Sequence, residues 1–160
     1  MRGCLLLFLC ALPCIARTGE PPAFAGNYGH AATASADDVV WQVEGAGHHW
    51  RVTLLTTGET HDAHRLQARG RDAFWSRMDW PLESSAEADC LTWGGKPGSL
   101  QDLLADTPPA PSAPGEDYGH AVLCHVPPAA RASIGWIADN ASDWFYYDPL
   151  LGVIEARALR

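Results

Sequence analysis

Seven histidines, a pair of body cysteines and a dense aromatic segment are the residues of this chain with chemistry to offer. His30, His48, His49, His61, His64, His120 and His125 invite a metal ion, and His61-Asp62-Ala63-His64 puts three potential ligands within four residues. On a helix, His61 and His64 would share a face. On a strand, Asp62 and His64 share one and His61 points away. A zinc site needs at least three convergent protein ligands. The spacing supplies at most two, Asp62 and His64, so the segment reads as a polar strand, and no metal or other cofactor is expected.

Catalytic motifs are missing from the sequence. There is no Gly-x-Ser-x-Gly elbow, no Ser-x-x-Lys and no His-Glu-x-x-His. Gly45-Ala46-Gly47 follows a strand but leads into another strand, so it lacks the helix N-terminus that binds phosphate. His125 adjoins Cys124, yet neighbours on a strand point to opposite faces. With no Cys-x-x-Cys pair, Cys90 and Cys124 read as one disulfide of an oxidising compartment. Two buried thiols or a thiol nucleophile are the alternatives. The chain reads as non-enzymatic, with a hydrolase assembled from distant residues as the weaker alternative.

The aromatic segment suggests recognition instead. Trp136, Trp144, Phe145, Tyr146 and Tyr147 lie close together, flanked by Asp139, Asp143 and Asp148. An aromatic patch rimmed by carboxylates suits a cationic protein surface. The candidate binding residues are therefore Trp136, Asp139, Asp143, Phe145, Tyr147 and Asp148. The competing reading is packing, in which Trp144 and Tyr146 fill the core while Phe145 and Tyr147 cover a second layer.

Strands must position all of these. Val39, Trp41 and Val43 alternate on one face, Gly45-Ala46-Gly47 turns the chain, and Trp50, Val52 and Leu54 alternate again, which is a hairpin pattern. Residues 60–69 continue as a third strand. Asp72 caps a helix that Pro81 helps to stop, with Phe74, Trp75 and Met78 on its buried side. Residues 82–89 form a polar connection. Residues 90–93 form a strand, and Ser99 with Asp102 opens a small helix. Residues 120–126 and 144–147 are strands, residues 134–137 begin another, and 153–159 return with Ile154, Ala156 and Ala158 on one side. The fold class is α+β, mainly antiparallel β: a curved meander or small barrel-like sheet of seven or eight strands with about two short helices.

The N-terminus reads as an address. A basic start, an apolar run over residues 4–14 and Cys14-Ile15-Ala16 form the pattern of a secretory signal peptide over residues 1–16. Cleavage after Ala16 is preferred to lipid attachment at Cys14, because Pro13 stands where lipoprotein signals place a small residue. Residues 17–36 read as a flexible leader with a short strand near 24–28. Residues 37–160 read as a single mainly-β domain with a Pro-rich loop over 106–119. Lys96 is the single Lys among 11 basic residues, a bias of GC-rich bacterial coding. A periplasmic or secreted protein follows, with no transmembrane segment in the mature chain.

With 19 acidic residues and a formal charge of −8, nucleic acid is disfavoured as a partner. The functional expectation is an exported bacterial binding protein of the inhibitor or immunity type, engaging a cationic envelope or secreted protein. The alternative is a carrier of a small apolar ligand, with a barrel cavity lined by residues such as Trp41, Trp50 and Leu54.

Overall fold

Period-two alternation places large apolar side chains on one face of strand after strand, and that face has to close on itself or on another layer. In the computed structural model, which describes residues 24–31, 35, 38–96, 99–104 and 117–159, it closes on itself. The strands are β1 (Gly26–His30), β2 (Trp41–Ala46), β3 (His49–Leu54), β4 (Thr60–Arg65), β5 (Asp89–Trp93), β6 (Ala121–His125), β7 (Trp144–Asp148) and β8 (Gly152–Leu159). Each is antiparallel to the next, and β8 returns to β1, giving a closed eight-stranded barrel with no free edge. β1 lies in the stretch that composition alone reads as a leader, and the barrel does not close without it. Residues 1–23, with the signal peptide and Cys14, lie outside the described residues, as do residues 106–116 of the Pro-rich loop.

The barrel interior is an aromatic core. Trp41 packs on Tyr146 at 4.3 Å between ring centroids, and Tyr146 stacks with Trp93 at 5.9 Å. Phe24, just before β1, contacts Trp50 at 5.7 Å and Trp144 at 5.4 Å, and its carbonyl accepts the Tyr28 hydroxyl. Trp41 and Trp50 are thus buried against neighbouring side chains, with Leu54 packed at the margin.

A second core lies outside the barrel wall. The outer faces of β5, β6 and β7 carry Cys90, Val122, Cys124 and Phe145, which are covered by Leu66, Phe74, Trp75, Trp80, Ala130, Ile134 and Ile137. Cys90 and Cys124 are directly opposed in the β5–β6 register and form the disulfide. The covering layer comes from two connections. The first holds α1 (Ala68–Arg77) and a 3-10 helix, Leu82–Glu87. The second holds α3 (Pro128–Arg131) and a 3-10 helix, Gly135–Ile137; α2 (Leu100–Leu103) belongs to the β5–β6 connection.

Two local expectations are corrected. The first helix starts at Ala68, ahead of Asp72, because β4 ends at Arg65 and Gln67 takes the extended cap position. Asp72 instead accepts the Ser85 hydroxyl at 2.5 Å, which ties α1 to the 3-10 helix. The polar connection over 82–89 is built around the 3-10 helix, with Ser84 and Ser85 buried and Ser84 accepting the Trp75 indole N–H at 2.9 Å. Residues 134–137 form helical turns where a strand is expected. Pro128 supplies a favourable first helical position, and the turns bury Ile134 and Ile137 on the second core.

In an up-and-down barrel, alternate connections share an end. Those joining β1 to β2, β3 to β4, β5 to β6 and β7 to β8 leave one end, here called the mouth. The two helical connections leave the other.

Candidate protein-binding surface

Trp136 is the most exposed aromatic side chain among the described residues, at 60%. It sits on the short 3-10 helix between β6 and β7. Ile134 and Ile137 on either side are drawn into the second core, so the turn has to project Trp136 outward. Its ring rests on Trp80, which is buried and itself packed on Trp75 at 5.2 Å and Phe74 at 5.9 Å. Asp139 lies three residues further along and is exposed, as are Asp79, Leu82 and Glu83 around Trp80. The sequence gives no warning that Trp80 stands beside Trp136, because it belongs to another connection.

A line of ion pairs and polar contacts fastens this connection to the barrel end. Arg131, buried on α3, donates to the Asn140 carbonyl and to Asp143 at 2.9 Å. Asp143 lies 4.0 Å from His125. His125 is registered against Asp89 across β5 and β6, and Asp89 pairs with Arg65 at 3.0 Å. Burial lowers the His125 pKa, opposed by Asp143 and Asp89. Burial raises that of Asp89, opposed chiefly by Arg65. No hydroxyl or thiol nucleophile belongs to this line of charges, and its physical effect is to hold the loop that carries Trp136.

The six predicted binding residues divide. Trp136, Asp139 and Asp143 share the β6–β7 connection, with the Asp143 carboxylate engaged by Arg131. Phe145 is 2% exposed in the second core, where no partner reaches it, and Tyr147 is half-buried against Phe74 at 5.2 Å. The outer face of β7 is covered by the protein's own helices, which is the packing reading. Asp148 stands at the other end of β7, in the mouth. Burial works to raise its pKa, but hydrogen bonds from His120 and from the Leu150 and Leu151 amides hold it below the ordinary carboxylate value.

Asp62 and His64 lie on one face of β4, outside the barrel. Asp62 is exposed opposite Arg51, and His64 is half-buried opposite Thr92, its pKa lowered by burial. Among the described residues no three His, Cys, Asp or Glu side chains are grouped as a metal site would require. An open groove of about 850 Å³ runs beside the β6–β7 connection, lined by His30, Trp144, Ile154, Glu155 and Arg157. Glu155 in its wall accepts the Ser142 N–H at 2.7 Å. No helix among the described residues is long and apolar enough to cross a membrane. No family model, curated protein or solved structure matches the chain.

Proposed function

We propose that the chain is an exported, non-enzymatic binding protein of the inhibitor or immunity type, and that the surface around Trp136 engages a cationic envelope or secreted protein. The observation that carries this reading is the exposure of Trp136 on a buried aromatic support. Exposing an indole to water gives the isolated fold nothing, whereas a rigid, well-backed Trp is the commonest kind of interface anchor. The exposed carboxylates of Asp79, Glu83 and Asp139 and the overall charge of −8 favour a basic partner, since complementary charge speeds encounter and fixes orientation. The Cys90–Cys124 disulfide fits an oxidising compartment. The aromatic contacts of Trp41, Tyr146 and Trp93 support this reading over a carrier, because these interior rings already satisfy one another.

The test is affinity capture. The oxidised chain and its Trp136→Ala variant are immobilised, exposed to bacterial envelope and secretion extracts at low salt, and eluted with a salt gradient. A stoichiometric protein retained by the first and lost from the second is the expected result. Equal retention by both, or retention of no protein, overturns the reading.

A further inference from the structure

Every strand of the barrel has two neighbours, yet the ladder between β7 and β8 stops before β8 does. β8 pairs with β1 as far as Leu159, but with β7 only to Ala156, opposite Trp144. Antiparallel alternation fixes where the remaining backbone groups point. The Ala31 N–H donates to the Glu155 carbonyl at 3.0 Å, so Glu155, Arg157 and Leu159 bond towards β1, while Ala156 and Ala158 turn towards β7. Ser142 is the residue that would meet Ala158. Its N–H is instead taken by the Glu155 carboxylate at 2.7 Å, and its hydroxyl accepts the Trp144 N–H at 3.1 Å. Among the described residues nothing pairs with the Ala158 N–H and C=O on this side. They open into the groove of about 850 Å³ beside the β6–β7 connection, whose walls include Trp144, Ile154, Arg157 and Ala158. An unpaired stretch of strand backbone is a template for another extended chain.

The side chains around Ala158 select the occupant. Arg157 is exposed and makes no ion pair among the described residues, since the Glu155 carboxylate is turned to Ser142. A guanidinium without a partner favours a carboxylate, which it can hold with two parallel hydrogen bonds. Trp144 is half-buried, with Phe24 at 5.4 Å, Tyr28 at 5.0 Å and His125 at 5.0 Å packed around it. It is a wall of the groove and not an open platform for a stacked sugar. A small free acid would meet Arg157 but leave the Ala158 backbone unpaired. An extended peptide with an acidic side chain satisfies both.

We infer that the groove is a docking site for an extended acidic segment of a protein partner, which pairs its backbone with Ala158 of β8 and places a carboxylate on Arg157. This site is separate from the Trp136 surface and takes the opposite charge.

The probe is the end-capped pentapeptide Thr-Val-Glu-Val-Thr, titrated into the oxidised, isotope-labelled chain and followed by NMR. The comparisons are the same peptide with Lys in place of Glu, and a version N-methylated along its backbone, which cannot pair as a strand. Saturable shifts at the Ala158 amide and the Trp144 indole N–H are expected. The affinity should fall about tenfold or more for either comparison peptide and in Arg157→Gln, as for a lost charge-assisted hydrogen bond, and stay unchanged in Trp136→Ala. Arg157 is exposed, so its variant should keep the wild-type melting temperature, which is measured in parallel. Five results would overturn the inference: no saturable shift, shifts centred on Trp136, equal affinity for the N-methylated peptide, equal affinity in Arg157→Gln, or the same shifts on raising the protein concentration alone, which would make a second copy of this chain the occupant. Because Trp136→Ala tests the other surface separately, either reading can fail without the other.

Discussion

Trp136 rests on Trp80, with the two indole rings 6.2 Å apart, one exposed to water and the other buried. From Trp80 the ring contacts continue through Phe74 to Tyr118 in the β5–β6 connection and to Tyr147 on the barrel wall. The exposed indole is therefore the outer end of a packed aromatic series. Its neighbour belongs to the core, and the two should respond differently to truncation.

Trp136→Ala should change unfolding free energy by less than about 0.5 kcal/mol, as for a surface substitution. Trp80→Ala removes a buried ring from the second core and should cost about 3–5 kcal/mol. Urea unfolding of the two variants makes the comparison. A large loss for Trp136→Ala would mean that its ring is part of the fold and not held out for a partner.

Phe24 is buried against Trp50 and Trp144, with the Arg65 guanidinium 5.2 Å from its ring centre. It anchors the entry to β1, whose pairing with β8 closes the barrel. Phe24→Ala should cost about 3–5 kcal/mol through lost burial and the cavity left behind. Denaturant unfolding checks this, and a cost below about 1 kcal/mol would show that the site collapses around the gap.

The disulfide joins residues 34 apart in sequence. On the chain-entropy relation, closing a loop of that length stabilises by about 4 kcal/mol, most of it through the unfolded state. Replacing both cysteines by Ala should lower stability by about that amount, or by somewhat more where the smaller side chains leave space in the second core. Urea unfolding of the oxidised chain and the double variant measures the difference.

His64 and His125 give the pH dependence a definite sign. Burial lowers both pKa values below 6.5, and for His125 the nearby Asp143 and Asp89 oppose the shift without reversing it. The folded state therefore favours neutral imidazole. The stability contributed by each is fully present above the unfolded value of about 6.5 and is lost as pH falls through the depressed folded value. Unfolding free energy should decline from pH 7 towards pH 5, and the slope should shrink in His64→Gln and His125→Gln. A slope unchanged in both variants would assign the effect to other groups.

The strands were legible because a half-buried sheet repeats every two residues. Trp41 and Val43, Trp50 and Val52, and Ile154 and Ala156 each report an inward face directly. β7 was harder, because Trp144 and Tyr146 face the barrel while Phe145 and Tyr147 face outward. Aromatics on both faces state that both are useful to bury, but not whether helix or partner does the burying. The helical layer was least legible. α3 is four residues long, and its position depends on Arg131 reaching Asn140 and Asp143, contacts that no local pattern announces. The site followed the same division. Trp136 and Asp139 were in view in the sequence, while Trp80 joins them only through packing between two connections.

The proposed role of Trp136 is to anchor a basic protein partner. Its most direct test is calorimetric titration of the captured partner into the oxidised chain and into Trp136→Ala, at low and at high salt. The expected result is a one-to-one complex, weakened by salt, whose affinity drops at least 30-fold without the indole, as for an interface hot spot worth about 2 kcal/mol or more. An affinity that is equal in the two proteins would contradict it.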